Sequence, residues 1–400
     1  MDKEFLAGIT QGMALTRAGK LAEATALIQR TVAGGSTGVP PFSGTSVRRG
    51  PAADVVIEGE CSEVIETTDN VETERAAGPT SDVEMRRGPE DPIRKWRRDV
   101  VDGEPRAKAE AFARQSGEWI AGVYANSAGE RAYKLYVPTS YTNQPLPLIV
   151  MLHGCNQTPD DFAAGTQMNA LAEEQSCFVL YPAQSNTANH ARCWNWFRPE
   201  DQVRDRGEPS IIAGMTREIL NRYGIDSRKV YVAGLSAGGA MAAVMGVTYP
   251  DLYAAVGIHS GLACGSAHDL PSALAAMKGM PASIGRPSEA AASHSIPTIV
   301  FHGDRDQTVH PRNGVDVISK STHRAGGHGG HSSIERGQAL NGHPYTRTVH
   351  RDAAGRVVLE HWLVHGGSHT WFGGSRAGSY SDPRGPSAGG EMIRFFLQTS

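Results

Sequence analysis

The chain has 400 residues, 40% of them apolar and 7% aromatic, with a formal net charge of −3. That is ample for a large core. It lacks the basic excess that phosphate binding needs, so a nucleic-acid partner is not expected. No apolar run approaches the ~20 residues of a membrane span.

Residues 3–32 predict a helix, with Phe5, Leu6, Ile9, Met13, Leu21, Leu27 and Ile28 in a rough stripe and Gly34-Gly35 ending it. It packs on its own domain or a partner subunit, or else it docks to a polymer or lipid surface. The start, Met1-Asp2-Lys3-Glu4, carries mixed charge, and Arg17, Lys20, Glu23 and Arg30 interrupt the stretch behind it. No secretory signal is read there, so a cytoplasmic protein is expected, with an extracellular one left open. Residues 36–116 read as a linker, because Asp54 to Asp91 holds twelve acidic residues against three arginines.

A third region, 117–400, has the pattern of a folded domain. Trp119–Tyr124 and Ala132–Val137 flank the turn-like Asn126-Ser127-Ala128-Gly129 and predict a β-hairpin. Residues 146–152 form a continuous apolar run, as in a strand buried on both faces. Helical patterns then alternate with short apolar runs at Cys177–Tyr181, Val230–Ala233, Ala254–Ile258, Ile299–Phe301 and Val357–Val364. Such alternation predicts an α/β fold, a mostly parallel sheet with helices on both faces. Gly326 to Gly330, with His323, His328 and His331 near it, reads as a flexible loop. It lacks the carboxylates and rigid scaffold of a metal site, and no metal is expected. The five cysteines, Cys61, Cys155, Cys177, Cys193 and Cys264, show no zinc spacing. They are buried thiols, or Cys155 and Cys193 form a bridge.

The chemistry centres on Gly234-Leu235-Ser236-Ala237-Gly238. A strand signal (Val230–Ala233) precedes it and a small-residue helix signal (Ala240–Val247) follows. That is the context of a strand–turn–helix elbow carrying a nucleophilic serine. A serine needs a base, and in this arrangement an acid and then a histidine follow in chain order. Asp306 is the expected acid, from His302-Gly303-Asp304-Arg305-Asp306, with Asp304 holding the turn. His369 is the expected base, in the glycine-rich loop after the last strand, whereas His361 and His365 read as structural. Ala237 and Cys155 are the expected backbone donors of an oxyanion hole, the latter in Leu152-His153-Gly154-Cys155-Asn156-Gln157. His153 reads as a turn-holding residue. Cys193-Trp194-Asn195-Trp196-Phe197 is either a core corner or an apolar substrate wall, and Trp371 raises the same question.

Taken in order, these motifs resemble the polyhydroxybutyrate depolymerase family of esterases. Gly367-Ser368-His369 with Trp371-Phe372-Gly373-Gly374, and the closing Gly378-Ser379-Tyr380-Ser381-Asp382-Pro383, add to the likeness. The resemblance covers roughly residues 117–400. It implies an α/β-hydrolase fold, a Ser236–Asp306–His369 triad and ester hydrolysis through an acyl-enzyme, without metal or organic cofactor. Phe372 stands where the family usually has Pro, which implies an altered pocket rim. No substrate-binding module is expected to follow the catalytic region. The family is also similar to feruloyl and acetylxylan esterases. The substrate is therefore expected to be poly(3-hydroxybutyrate) or a short hydroxyalkanoate ester, with a feruloyl or acetylxylan ester as the alternative. The contrasting reading is an inactive scaffold on a polymer granule.

Overall fold

The computed structural model describes residues 117–280, 296–324 and 331–399. The expected N-terminal helix (1–35), the acidic linker (36–116), Cys61 and the loop carrying His328 lie outside the described residues.

β1 (Glu118–Asn126) and β2 (Gly129–Val137) form the expected hairpin, closed at Asn126 opposite Gly129. Asn126 Oδ1 accepts the Ala128 N–H at 2.8 Å and pins the turn. The apolar runs then become β3 (Leu148–Leu152), β4 (Phe178–Pro182), β5 (Val230–Leu235), β6 (Ala255–His259) and β7 (Thr298–Gly303). Every residue in these five strands is buried. Between them lie α1 (Pro159–Thr166), α2 (Met168–Gln175), α3 (Gly207–Tyr223), α4 (Ala237–Thr248) and α5 (Leu270–Met277). After β7 come α6 (Arg312–Arg324), β8 (Ser332–Gln338), β9 (Pro344–Arg351), β10 (Val357–Val364) and α7 (Ala388–Gln398).

The ten strands form one sheet in the order β1-β2-β4-β3-β5-β6-β7-β10-β9-β8. From β4 to β10 all pairings are parallel, and the edges are antiparallel. Alternating side chains feed two cores. Leu148, Val150 and Leu152 face the core under α3, α4, α5 and α6, while Ile149 and Met151 face the core under α1, α2 and α7. Tyr231 of β5 stacks on Phe396 of α7 with ring centroids 4.8 Å apart. This is the α/β-hydrolase fold. Among the described residues no helix is long and apolar enough to cross a membrane.

The sequence pattern did not announce the β8–β9 hairpin. β8 is exposed at almost every position, so it has no apolar face to signal a strand. The hairpin is held instead by backbone pairing and by Arg347, which bonds Glu360 of β10 at 2.8 Å. A short pair, β11 (Trp371–Phe372) with β12 (Ser381–Asp382), was likewise not foreseen.

Candidate active site

Ser236 lies between β5 and α4 with φ 58° and ψ −118°. Positive φ is uncommon for a residue with a Cβ. The backbone is held there on both sides: the Ser236 N–H donates to His259 O at 2.8 Å, and Ser236 O accepts the Ala240 N–H at 2.9 Å. A Cβ at position 238 would sit 2.0 Å from Leu152 O and 2.6 Å from His153 O. Glycine there is a steric demand of the turn, not a coincidence of the motif.

β7 and β10 are parallel neighbours, so the loops leaving their C-terminal ends meet. Asp306 comes from the first loop and His369 from the second. Asp306 Oδ2 accepts the His369 Nδ1–H at 2.7 Å. A carboxylate only accepts, so Nε2 is left as the acceptor, and the Ser236 hydroxyl donates to it at 2.9 Å. Asp306 is buried, whereas Ser236 and His369 are part-exposed. Its other oxygen, Oδ1, accepts the N–H groups of Thr308 (2.9 Å) and Val309 (2.8 Å). Burial works to raise the Asp306 carboxyl, but the hydrogen bonds of His302 and His369 outweigh it and hold the group well below the usual carboxylate range. The competing Asp304 stitches the loops together instead, accepting the Gly366 N–H at 2.7 Å and His365 Nδ1 at 3.0 Å.

The loop after β3 brings Cys155 to the same end of the sheet. Among the described residues, neither the Cys155 nor the Ala237 amide donates to a protein acceptor. Ala237 is also the first residue of α4, where the helix dipole favours negative charge. Cys155 and Cys193 form a disulfide, and Cys177 is a buried thiol. His153 is buried. Its Nδ1–H donates to Gly154 O at 2.7 Å and its Nε2 accepts the Gln184 N–H at 3.0 Å. Burial pushes this imidazole down to about 4, so it stays neutral and holds the turn. Among the described residues no group of three or more His, Cys, Asp or Glu side chains is placed to hold a metal ion.

The sequence profile described as "Esterase PHB depolymerase" matches residues 131–334, about half of the chain. The chain belongs to this esterase family. A poly(3-hydroxyalkanoate) depolymerase C from Paucimonas lemoignei is 32% identical over 231 residues, which is 56% of this chain and 54% of that protein. The chain thus spans about half the length of that relative. Feruloyl esterase B from Neurospora crassa is 28% identical over 58% of this chain and 80% of its own length. Acetylxylan esterase A from Talaromyces purpureogenus is 26% identical over 66% and 72%. In fold, the chain is similar to an acetyl xylan esterase from Aspergillus awamori, with TM-score 0.50 and 23% identity over 60% of this chain and 89% of that one.

Against the family pattern two expectations need correction. Trp194, Trp196 and Trp371 are only 0%, 6% and 1% exposed, so they offer no wall to a substrate. Trp194 packs on the ring of His153, and Trp371 lies between Phe162 and His259. Their burial favours the core-corner reading. Phe372 is also fully buried and does not reach a rim. Its N–H, which a proline would lack, donates to His259 Nε2 at 3.1 Å.

Sequence reasoning passed over His302. It sits 3.5 Å from Asp306 Oδ2 while its Nε2–H donates to Val309 O at 2.8 Å. The signal was present, since His302 opens the run that ends in Asp306. Glu208, which gathers the loop around Cys193, gave no signal at all.

Proposed function

We propose that the protein hydrolyses carboxylic esters with Ser236 as nucleophile, His369 as general base and acid, and Asp306 as the orienting carboxylate. The observation that carries this is the unbroken line from Ser236 Oγ to His369 Nε2 (2.9 Å) and from His369 Nδ1 to Asp306 Oδ2 (2.7 Å). Ser236 Oγ forms a bond to the ester carbonyl carbon as its proton passes to His369 Nε2. The oxyanion is received by the Cys155 and Ala237 amides. Collapse breaks the ester bond, and His369 returns the proton to the departing alcohol. Water then repeats the sequence on the acyl-enzyme, releasing the acid.

For the ester itself, the family profile and the P. lemoignei relative support poly(3-hydroxybutyrate) or short hydroxyalkanoate esters. The N. crassa and T. purpureogenus relatives support feruloyl or acetylxylan esters as the second reading. An inactive granule scaffold would leave the Ser–His–Asp line without use. The Cys155–Cys193 disulfide supports an oxidising compartment over the cytoplasm expected from the N-terminus.

The test assays wild type and Ser236→Ala on p-nitrophenyl butyrate, hydroxybutyrate oligomers, methyl ferulate and acetylated xylan. Wild type is expected to cleave the first two fastest, and Ser236→Ala none. Preference for ferulate or xylan would move the substrate to the second reading, and full activity in Ser236→Ala would remove the nucleophile.

A further inference from the structure

The aromatic run Cys193–Phe197 has its tryptophans buried. The run and the residues just before it touch the loop that carries Cys155. Cys193 is bonded to Cys155, the Asn156 N–H donates to Ala191 O at 2.6 Å, and the Gln184 N–H donates to His153 Nε2 at 3.0 Å. On the opposite side the same loop is held by Gln157, whose Oε1 accepts the Gly154 N–H at 2.9 Å and whose Nε2 donates to Asp161 at 2.9 Å.

Behind the 184–197 loop stands Glu208, in the first turn of α3 and 4% exposed. Its carboxylate receives four donors. Oε2 accepts the Asn195 N–H at 2.7 Å. Oε1 accepts Asn195 Nδ2 at 2.7 Å, Gln184 Nε2, and Arg131 Nη2 at 3.3 Å. Gln184 Nε2 also donates to Cys193 O at 2.9 Å, and its Oε1 accepts Arg131 Nε at 2.8 Å. Asp201 Oδ1 accepts the Glu208 N–H at 2.7 Å and fixes the start of the helix. A carboxylate has about four acceptor positions and no hydrogens, so four converging donors suit the Glu208 carboxylate and not the amide of the same length.

We propose that Glu208 is a positioning residue for the oxyanion hole: it fixes the 184–197 loop and, through the Cys193–Cys155 bond, the direction of the Cys155 amide. The proposal rests on the ester-hydrolase reading given above. An oxyanion donor works only when aimed at the place where charge develops, so a loosened Cys155 weakens the tetrahedral state and leaves ground-state binding nearly intact.

The test compares wild type with Glu208→Gln, which keeps the volume but sets an NH2 group among the four donors. Enzyme concentration is fixed by active-site titration with a fluorophosphonate. On p-nitrophenyl butyrate, kcat is expected to fall about 10- to 100-fold with KM changed by no more than about threefold, the signature of a contact made in the transition state. The inhibition constant of butylboronic acid, which forms a tetrahedral adduct on the serine, should rise by the same factor as kcat falls. Unchanged kcat and boronate affinity per titrated site, even with a lowered melting temperature, would mean that Glu208 only supports the fold and would overturn the proposal. If Glu208→Gln does not fold, the native protein is assayed under dithiothreitol, which breaks the Cys193–Cys155 link without a substitution. The same split is expected, and its absence overturns the proposal. Failure of the underlying reading looks different: Ser236→Ala would then keep its activity.

Discussion

Replacing Asp306 by Asn probes the site without changing its shape. Asp306 Oδ1 is pinned by the N–H groups of Thr308 and Val309, at 2.9 and 2.8 Å. An asparagine must therefore put its carbonyl oxygen there, and its NH2 group points at His369 Nδ1 across 2.7 Å. Two donors cannot share that distance. His369 is forced into the other tautomer, with Nδ1 accepting and Nε2–H facing Ser236 Oγ. The base then has no lone pair for the serine proton. Such a tautomer exchange costs about 10⁴ in kcat, or about 5.5 kcal/mol in the activation barrier. The fold should hold, because His302 keeps its own bond to Val309 O. The assay is kcat on p-nitrophenyl butyrate at neutral pH, with melting temperature as control and the substitution verified by mass. A well-folded Asp306→Asn protein that keeps about a tenth of wild-type kcat would refute the argument, since no single tautomer could then be essential.

Other outcomes follow from the same geometry. In Gly238→Ala the new Cβ would lie 2.0 Å from Leu152 O, a backbone atom with nowhere to go. Stability should drop by about 3 kcal/mol, the upper end of overpacking costs, and urea unfolding would reveal it. Glu360 is fully buried and accepts Arg347 (2.8 Å), Arg394 (2.7 Å) and Trp362 Nε1 (3.0 Å). Glu360→Ala removes the hydrogen bonds of these three side chains to a fully buried carboxylate, although Arg347 keeps Glu335 and Arg394 keeps Glu391, so a loss of about 2 kcal/mol is expected in urea, with kcat per folded molecule unchanged. Acid should weaken the fold through its buried histidines. Burial pushes His153 and His361 down to about 4, from 6.5 when free, and holds His259 well below its free value. The neutral form is the folded one, so this stability is complete above pH 6.5 and drains away as pH falls from 6.5 toward 4. The fully buried His153 alone accounts for about 3 kcal/mol at most. Melting temperature measured from pH 8 to pH 4 should bend downward in that window, and a flat profile would contradict the assignment.

The chain order of strand, elbow, acid loop and histidine loop was legible because each has a local cause. Short apolar runs become strands covered on both faces, and Gly238 is demanded by two carbonyls that leave no room for a side chain. The site follows from the parallel pairing of β7 with β10, which sets the loops of Asp306 and His369 side by side. What stayed hidden depends on neighbours far along the chain. β8 and β9 bury little, so they carry no periodic signal. Trp194 and Trp371 have the same composition as a pocket wall, and only the path of the loop decides that they are core. The choice between thiols and a bridge at Cys155 and Cys193 also waited for the loops to meet. Glu208 looked like an ordinary acidic residue in the first turn of a helix until Asn195, Gln184 and Arg131 closed around it.

Ester hydrolysis by this site requires that Ser236 carry the acyl group. Its most direct test is intact-mass and peptide mass spectrometry after treatment with a fluorophosphonate, and after rapid acid quench during turnover of p-nitrophenyl butyrate. One adduct per chain, on the peptide containing Ser236 and absent from Ser236→Ala, is the predicted result. An adduct on any other residue, or turnover by Ser236→Ala at the wild-type rate, would contradict it.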